Sequence, residues 1–361
     1  MSSLSAQRSK ALVSVIVPSY NASRHICETL ESVLAQTYRN LEVIVIDDGS
    51  KDHTPDIVAN YARRDSRIRL VNQPNAGVGA ARNRGIAEAS GVFIAPLDAD
   101  DVWYTQKLEK QVASLQRNGE EWGFAYCWSK SINGWSKSIN ERGEACLPLA
   151  HWPIRGNVFH ALIYENIVGN ASVPLFRTSA VREVGGYRTR AEQGGVQGCE
   201  DWDFTLRVAA KYLVDEVPDC LVGYRKSGST MSSNVLGMAK SYEFIMSELR
   251  RNYQIPKKLM GWSAGHFYNY LLPMAYSSGN SDAVLQFLKV ICRSDLAIFL
   301  SPPLYRMVIV TLLRKIAGPN FPKRRRLEES APKPPKPPGL HWIPAHWVEE
   351  RRWAKVQNGS I

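Results

Sequence analysis

Two apolar runs in the first third of the chain each end in a group of aspartates. Val43–Ile46 is followed by Asp47 and Asp48, and Val92–Leu97 is followed by Asp98, Asp100 and Asp101. An apolar run that stops at polar residues is typical of a buried strand, and open α/β sheets bind ligands outside the carboxyl ends of their strands. Carboxylates gathered at such an edge repel one another unless a cation or a hydrogen-bonding ligand lies between them. The spacing therefore predicts a metal site beside a nucleotide pocket.

The metal ligands are expected to be Asp98 and Asp100. Alternate residues at a strand end can point to the same side of the sheet, so both carboxylates can face one cation. Mg²⁺ and Mn²⁺ take oxygen ligands and bridge the oxygens of a diphosphate, which makes such a pair useful beside a nucleotide. The alternative is an acidic turn in which Asp101 caps the following helix.

The other acidic segment, Asp47-Asp48-Gly49-Ser50, has three interpretations. By itself it can be a turn followed by a helix cap. A phosphoacceptor aspartate in a receiver-like domain is a second, but such a domain is much shorter than this chain of 361 residues. Together with the other strand end, the segment fits the wall of a nucleotide pocket.

A glycine-rich segment lies between the two acidic ones. It contains Asn75, Gly77, Gly79, Arg82 and Gly85, and Arg82 stands where a dinucleotide-binding G-x-G-x-x-G motif has its third glycine. The segment also does not follow the first strand, which disfavours a dinucleotide fold. Its glycines admit close backbone approach, and Arg82 could reach a phosphate or the neighbouring aspartates. The alternative is a glycine-started helix with arginines in solvent.

A third acidic group, Glu200-Asp201-Trp202-Asp203, stands at the start of a predicted helix. A carboxylate beside an aromatic ring suits a general base that takes a proton from a sugar hydroxyl. The alternative is a helix N-terminus whose negative charges the macrodipole stabilises.

A loop rich in cations and hydroxyls follows the strand-like run that ends near Val222. It spans 223–232 and includes Arg225, Lys226 and Ser227. Such a loop could close over a diphosphate, or it could be an ordinary polar surface loop.

Strand-like and helix-like segments alternate through the first 118 residues, which predicts a doubly wound parallel sheet. The expected strands are 13–18, 43–46, 67–71 and 92–97, and the expected helices are 26–36, 54–64, 77–89 and 105–118. The pattern loosens near residue 120, where a tandem repeat (128–140) predicts an inserted surface hairpin or loop. Helical patterns return at 198–211 and 240–295.

The formal net charge is +11, and most of it lies late in the chain. Residues 306–336 hold nine Lys or Arg and two Glu, which favours a tail that touches an anionic surface over a nucleic-acid-binding protein. No signal peptide is expected, because residues 1–11 are polar and lack an apolar run. No membrane-spanning run is expected either, because the apolar stretch 296–313 is interrupted by two prolines and an arginine. The six scattered cysteines predict reduced thiols in a cytosolic protein.

Taken in order, these segments resemble the family 2 glycosyltransferases with the GT-A fold, over residues 14–232. The resemblance implies donor-binding residues Pro18, Tyr20, Asn21, Asp47, Asp48, Asn75, Gly77, Arg82, Asp98 and Arg225. It implies Asp98 and Asp100 as metal ligands, Asp201 as the catalytic base, and Glu200, Trp202 and Asn170 on the acceptor side. Many relatives carry a histidine three places after the tyrosine of the Tyr-Arg loop; Ser227 stands there, so Arg225 or Lys226 is expected to stabilise the diphosphate instead.

The resemblance also implies an architecture and an activity. The fold would be a Rossmann-like, mostly parallel sheet flanked by helices, with a GT-A catalytic domain at 1–235, a helical region at 236–318 and a flexible Pro-rich basic tail at 319–361. The activity would be inverting, metal-dependent (Mn²⁺ or Mg²⁺) transfer of a sugar from a UDP-linked donor to a glycan or lipid-linked acceptor, in bacterial cell-surface polysaccharide or glycolipid assembly.

Such an enzyme would be cytoplasmic and peripheral at the inner face of the membrane, through contact of its basic C-terminal region with anionic lipid. Two alternatives stay open. One is a non-catalytic sugar-nucleotide or glycan-binding protein on the same fold. The other is a nucleotidyltransferase, disfavoured because Pro18-Ser19-Tyr20-Asn21 stands where that class has a glycine-rich basic loop.

Overall fold

The computed structural model describes residues 11–132, 154–225, 234–294 and 302–317, together with residues 352, 353, 355 and 356 near the C-terminus. The chain divides into two compact units, one of residues 1–162 with 166–245 and one of residues 163–165 with 246–361. The division falls inside a long helix, Val235–Asn252. The domain boundaries expected from the sequence stay predictions.

The strands that the structure describes form one mixed sheet in the order β3-β2-β1-β4-β7-β6-β8-β5. They are β1 (Val13–Ser19), β2 (Leu41–Asp47), β3 (Ile68–Asn72), β4 (Phe93–Pro96), β5 (Val102–Trp103), β6 (Trp122–Ile132), β7 (Leu175–Arg177) and β8 (Leu213–Arg225). β3, β2, β1 and β4 are parallel neighbours, as predicted. All seven residues of β1 are buried, because helices cover both faces of a parallel sheet.

The second half of the sheet is not purely parallel. β7 pairs antiparallel with both β4 and β6, β6 pairs parallel with β8, and β5 pairs antiparallel with β8. The predicted α/β class is confirmed: the structure is a mixed α/β fold with a curled sheet flanked by helices.

The described helices include those predicted between the strands and after residue 198, and two short helices, 159–164 and 178–184, that the sequence pattern did not predict. They are α1 (Ile26–Leu34), α2 (Thr54–Arg64), α3 (Val78–Glu88), α4 (Lys107–Arg117), α5 (Phe159–Tyr164), α6 (Thr178–Val184), α7 (Glu200–Ala209), α8 (Val235–Asn252), α9 (Lys257–Ser277), α10 (Ser281–Ser294) and α11 (Pro302–Ala317).

Strand register brings the two acidic segments to one edge of the sheet. In the β1–β2 pair, Ser19 stands opposite Asp47. In the β1–β4 pair, Ile16 stands opposite Pro96, two residues before Asp98. Because these strands are parallel, their carboxyl ends place Asp47 and Asp98 on the same side of the molecule, one strand apart.

The second unit is helical. Tyr268 of α9 and Phe287 of α10 pack with ring centroids 5.2 Å apart, and Lys315 Nζ of α11 lies 2.8 Å from Asp282 Oδ1 of α10. Near the end of the chain, Trp353 packs edge-on against Tyr164, 5.2 Å between ring centroids. Among the described helices, none combines the length and the hydrophobicity that crossing a bilayer requires.

The structure bears on three further predictions made from the sequence. The first five residues of the tandem repeat, 128–132, belong to β6, so the loop alternative is wrong for them; the hairpin alternative stays a prediction, because the rest of the repeat lies outside the described residues. Cys220 is disulfide-bonded, so the expectation of reduced thiols is wrong for it, whereas Cys27, Cys127, Cys199 and Cys292 are free. Ser227, Lys226, the basic cluster 323–326 and most of the Pro-rich tail lie outside the described residues.

Candidate active site

Asp48, at the end of β2, organises the loop that begins α3. Its Oδ1 accepts hydrogen bonds from Gln73 Nε2 (2.7 Å) and Ala76 N (2.9 Å), and its Oδ2 accepts one from Gly77 N (2.8 Å). Its backbone carbonyl accepts one from Asn75 Nδ2 (3.0 Å). A carboxylate there satisfies backbone donors at the start of a helix, where the macrodipole favours negative charge.

The rest of the glycine-rich segment is explained by close packing. Gly77 has φ of +91°, a conformation that favours glycine. A Cβ at Gly79 would lie 2.6 Å from the carbonyl oxygen of Arg188, and one at Gly85 would collide with Ile16 Cγ2. The glycines therefore allow α3 to pack closely against β1 and against the backbone of Arg188.

Arg82 projects from α3 and joins two of the predicted acidic segments. Its side chain is 2% exposed; Nη2 lies 2.6 Å from Asp98 Oδ1, and Nη1 lies 3.1 Å from Glu200 Oε1. Its Nε is buried without a hydrogen-bond partner among the described residues. The sequence left a phosphate or an aspartate as possible partners of Arg82. In the structure, its partners are carboxylates. Its predicted contact with a donor stays a prediction.

The predicted base, Asp201, stands in the first turn of α7 beside Glu200. Burial raises the pKa of Asp201 to about 7, the charge of Glu200 adds to this, and Arg82 opposes it. Asp201 Oδ1 accepts a hydrogen bond from Trp202 N (2.8 Å). A carboxyl group that titrates near neutral pH is suited to taking a proton from a hydroxyl group.

Asp100 and Asp101 follow Asp98 in a crowded acidic turn. Burial raises the pKa of Asp100 to about 6, and the neighbouring charge of Asp98 adds to the shift. Burial raises the pKa of Asp101 well above its usual range, helped by Asp98 and Asp100. Asp101 is fully buried and accepts hydrogen bonds from Ser172 Oγ (2.6 Å) and Arg225 N (2.8 Å). Asp101 therefore anchors the turn, leaving Asp98 and Asp100 as the partly exposed pair.

The chemistry of this turn fits a divalent cation. The charge of Asp98 lies close enough to Asp100 to raise the pKa of Asp100, and a cation between the two oxygen donors would relieve their repulsion. No group of three or more His, Cys, Asp or Glu side chains that could hold a metal ion occurs in the part of the chain that the structure describes. The assignment of Asp98 and Asp100 as metal ligands stays a prediction.

Arg225, at the end of β8, holds the acidic turn in place. Its side chain is 1% exposed; Nε donates to the carbonyl oxygen of Asp100 (2.7 Å), and Nη2 lies 2.6 Å from Glu28 Oε2 of α1. Glu28 is a residue that the sequence reasoning missed, because its partner is 197 positions away. Its only sequence signal is an acidic side chain in the first turn of the helix after β1. Whether Arg225 also binds a donor stays a prediction.

The remaining predicted donor residues line the ends of β1 and β2. Tyr20 is 49% exposed, and Pro18 is buried within β1. Asn21 Oδ1 accepts a hydrogen bond from Lys51 N (2.8 Å), which ties the two loops together. Asp47 is 4% exposed, and its Oδ1 has no hydrogen-bond partner among the described residues. Their roles in binding stay predictions.

On the predicted acceptor side, Asn170 and Asp201 line the same pocket. The other lining residues are Asn166, Val168, Ala171, Pro174, Phe176, Tyr187 and Thr205. Trp202 is 3% exposed, and its Nε1 donates to the carbonyl oxygen of Leu162 (2.8 Å). This placement makes Trp202 a packing residue of α7, and its predicted acceptor contact stays a prediction.

Comparison with known proteins decides the family. The profile of Glycosyl transferase family 2 matches residues 14–180. TuaG of Bacillus subtilis (strain 168), named for teichuronic acid biosynthesis, is 31% identical over 244 residues, which is 67% of this chain and 90% of that protein. This chain is a family 2 glycosyltransferase. Over a shorter segment, it resembles the Escherichia coli UDP-Glc:alpha-D-GlcNAc-diphosphoundecaprenol beta-1,3-glucosyltransferase WfgD, with 47% identity over 108 residues.

That segment is 30% of this glycosyltransferase and 42% of WfgD. Among solved structures, the crystal structure of S. aureus TarS 1–349 in complex with UDP-GlcNAc superposes with a TM-score of 0.59 at 19% identity, covering 83% of this chain and 88% of that one. At this identity the likeness shows the fold alone.

The Glu28–Arg225 pair yields a prediction for this glycosyltransferase. Glu28→Gln removes the negative charge that faces a buried guanidinium, a change that costs about 1–3 kcal/mol when one hydrogen bond is kept. We expect the melting temperature to fall by several degrees, which thermal unfolding measures.

Glu31→Gln is the matched control. Glu31 lies one turn later on α1, and its Oε1 accepts a hydrogen bond from Tyr61 at the surface. If both variants behaved alike, Glu28 would have no particular role in holding the acidic turn.

Proposed function

We propose that this glycosyltransferase moves a sugar, with inversion, from a UDP-linked donor to a hydroxyl group of a glycan or lipid-linked acceptor during assembly of a surface polysaccharide or glycolipid. The observation that carries the proposal is the Arg82 bridge. By contacting Asp98 and Glu200, Arg82 joins the predicted metal-binding turn to the helix that carries Asp201. A diphosphate and an acceptor hydroxyl could then meet between the turn and the helix.

A nucleotide donor is supported by the edge formed by β1, β2 and β4. Asp48 fixes the loop that starts α3, and Tyr20 offers an exposed ring beside it. UDP is proposed because the TarS structure holds UDP-GlcNAc and the name of WfgD gives UDP-Glc as its donor. The polysaccharide or lipid-linked acceptor is proposed from the names of TuaG and WfgD.

The proposed reaction is a single displacement at the anomeric carbon. The acceptor hydroxyl gives its proton to a carboxylate oxygen of Asp201, and its oxygen forms a bond to the anomeric carbon. The bond from that carbon to the diphosphate oxygen breaks on the opposite face, and the electron pair leaves with the nucleotide. Because entry and departure are on opposite faces, the configuration inverts. The pKa of about 7 keeps much of Asp201 ionised at neutral pH.

Charge on the leaving diphosphate requires cationic partners. A divalent ion held by Asp98 and Asp100 would neutralise part of that charge. The positive end of α3 lies at the same edge, and Lys226 is a further candidate in sequence. Contact with an anionic membrane is a separate proposal, which rests on α11 and is argued below.

Nucleotide binding to wild type and Asp100→Asn tests the proposal. At a concentration 100 times Kd, a ligand stabilises a protein by about 2.7 kcal/mol, so UDP with Mn²⁺ should raise the melting temperature of wild type by several degrees. Asp100→Asn should lose that Mn²⁺-dependent gain. Without ligand the variant should be more stable than wild type above pH 6, since it removes a carboxylate whose pKa is raised to about 6.

Asp56→Asn is a suitable control, because Asp56 is 80% exposed and lies on α2. An equal Mn²⁺-dependent gain in Asp100→Asn would remove Asp100 from the metal site. Failure of every sugar nucleotide to bind wild type would contradict the proposed donor class.

A further inference from the structure

An apolar stripe runs along the outer face of α11 in the second unit. Ile309, Leu312, Leu313 and Ile316 are 58%, 45%, 47% and 84% exposed. Their spacing of three, four and seven residues places them on one side of a helix with 3.6 residues per turn. We call these four residues the α11 stripe.

The opposite side of α11 faces the protein. Thr311, which lies about half a turn away from the stripe, is 1% exposed, and Lys315 contacts Asp282 of α10. A surface helix normally has its apolar residues on the covered side and its polar residues outward. In α11 four large aliphatic side chains point away from the unit, and grouped exposed side chains of this kind mark an interaction site.

The charge of the surrounding sequence identifies the partner. Residues 306–336, which include most of α11, carry nine basic and two acidic residues, a net of +7. A second copy of the chain would bring an equal positive charge against this one, which opposes self-association through the stripe. An anionic lipid bilayer matches both the apolar stripe and the positive charge, because its interior is apolar and its headgroups are negatively charged.

We propose that α11 lies in the headgroup region of an anionic bilayer, with the α11 stripe in the outer part of the acyl chains. With 16 residues, α11 is about 24 Å long at 1.5 Å per residue, and it would lie along the surface. The proposal goes beyond the glycosyl transfer proposed above and holds whichever sugar is moved. It would bring the catalytic unit to a lipid-linked acceptor already in the membrane.

Co-sedimentation of the full-length protein with lipid vesicles tests the proposal. Wild type should bind vesicles of phosphatidylcholine mixed with phosphatidylglycerol, bind pure phosphatidylcholine weakly, and detach as salt rises. Leu313→Ser with Ile316→Ser should lower the partition coefficient about tenfold or more, because two aliphatic side chains no longer enter the bilayer. Replacing the four basic residues 323–326 with glutamine should also weaken binding and flatten the salt dependence.

Val92→Ser is the matched control, because Val92 is a 56% exposed aliphatic residue in the other unit. Its binding should equal that of wild type. The melting temperature of the double variant should stay within about 1 °C of wild type, since exposed positions contribute little to stability.

Three results would overturn the proposal. Equal vesicle binding by wild type and the double variant would show that the stripe does not enter lipid. A melting temperature several degrees lower would show that the chain itself covers the stripe. Loss of a wild-type dimer in the double variant, measured by light scattering, would make a second copy the partner. A failed transfer assay bears on the proposed function and leaves these measurements unaffected.

Discussion

Replacing Asp201 with asparagine is expected to lower the transfer rate by about 10²–10⁴-fold, the usual contribution of a positioned general base. The carboxamide has nearly the same shape, and its oxygen can still accept the hydrogen bond from Trp202 N. UDP binding should therefore change by less than about twofold, since the loss concerns an interaction of the reacting hydroxyl. Initial rates with saturating donor and acceptor, together with calorimetry of UDP, separate the two effects.

The pH dependence of kcat/KM is a second test of the assignment of Asp201 as the base. Only ionised Asp201 can accept a proton, and its pKa is raised to about 7, so kcat/KM should fall as pH drops below about 7. In Asp201→Asn the residual rate should lose this acidic limb. Asp201→Glu, which keeps a carboxylate, should retain a limb with reduced activity. Near-normal turnover by Asp201→Asn would make another residue the base.

The same raised pKa means that the ionised form of Asp201 destabilises the folded protein. Its folded pKa, about 7, exceeds the ordinary value of 3.8, so the folded state binds the proton more tightly than the unfolded state. The favourable contribution of the protonated form is present at low pH and is lost as pH rises from about 4 to 7. Asp201→Asn should therefore raise the melting temperature more at pH 8 than at pH 5, which a pH series of thermal unfolding measures.

The first half of the fold could be predicted because its signals are local. β1, β2 and β4 are mostly apolar, since parallel strands are buried on both faces. The second half could not, because β5 has two residues and β7 has three, too few to show a period. Strand pairings such as β6 with β8 also depend on contacts between distant segments, which no local pattern encodes.

The segments of the candidate site could be predicted, whereas the side-chain contacts between those segments could not. The order of the motifs suggested that Asp98 and Asp201 belong to one site, but the sequence left the partner of Arg82 open. The structure shows contacts between Arg82 and Glu200, 118 positions apart, and between Arg225 and Glu28. Both guanidinium groups are buried, so their charges are neutralised inside the protein by carboxylates that local sequence does not identify.

Replacing Arg82 with alanine is expected to destabilise the protein by about 3–5 kcal/mol, the usual cost of removing one partner from a buried ion pair. The substitution leaves Asp98, Glu200 and Asp201 without the cation between them. With about 2–4 °C per kcal/mol for a domain of this size, the melting temperature should fall by roughly 6–20 °C. The melting temperature of Arg82→Lys should lie between those of wild type and Arg82→Ala, because a lysine cannot reproduce the forked contact with two carboxylates.

Arg84→Ala is the matched control on the same helix. Arg84 is 53% exposed and pairs with Glu88 at the surface, an interaction worth about 0.3–0.5 kcal/mol. Its melting temperature should fall by no more than about 2 °C. Comparing the two variants separates the bridge from any general effect of shortening an arginine in α3.

The loss in Arg82→Ala should also depend on pH, with a sign that identifies its cause. Arg82 lowers the pKa of Asp201, so its removal raises that pKa further and favours the protonated carboxyl group. The uncompensated charge is present above that pKa and disappears as pH falls through it, so the loss of stability should be larger at pH 8 than at pH 5. A loss independent of pH would mean that Arg82 does not act through the charge of Asp201, and its contacts with Asp98 and Glu200 would account for the whole loss.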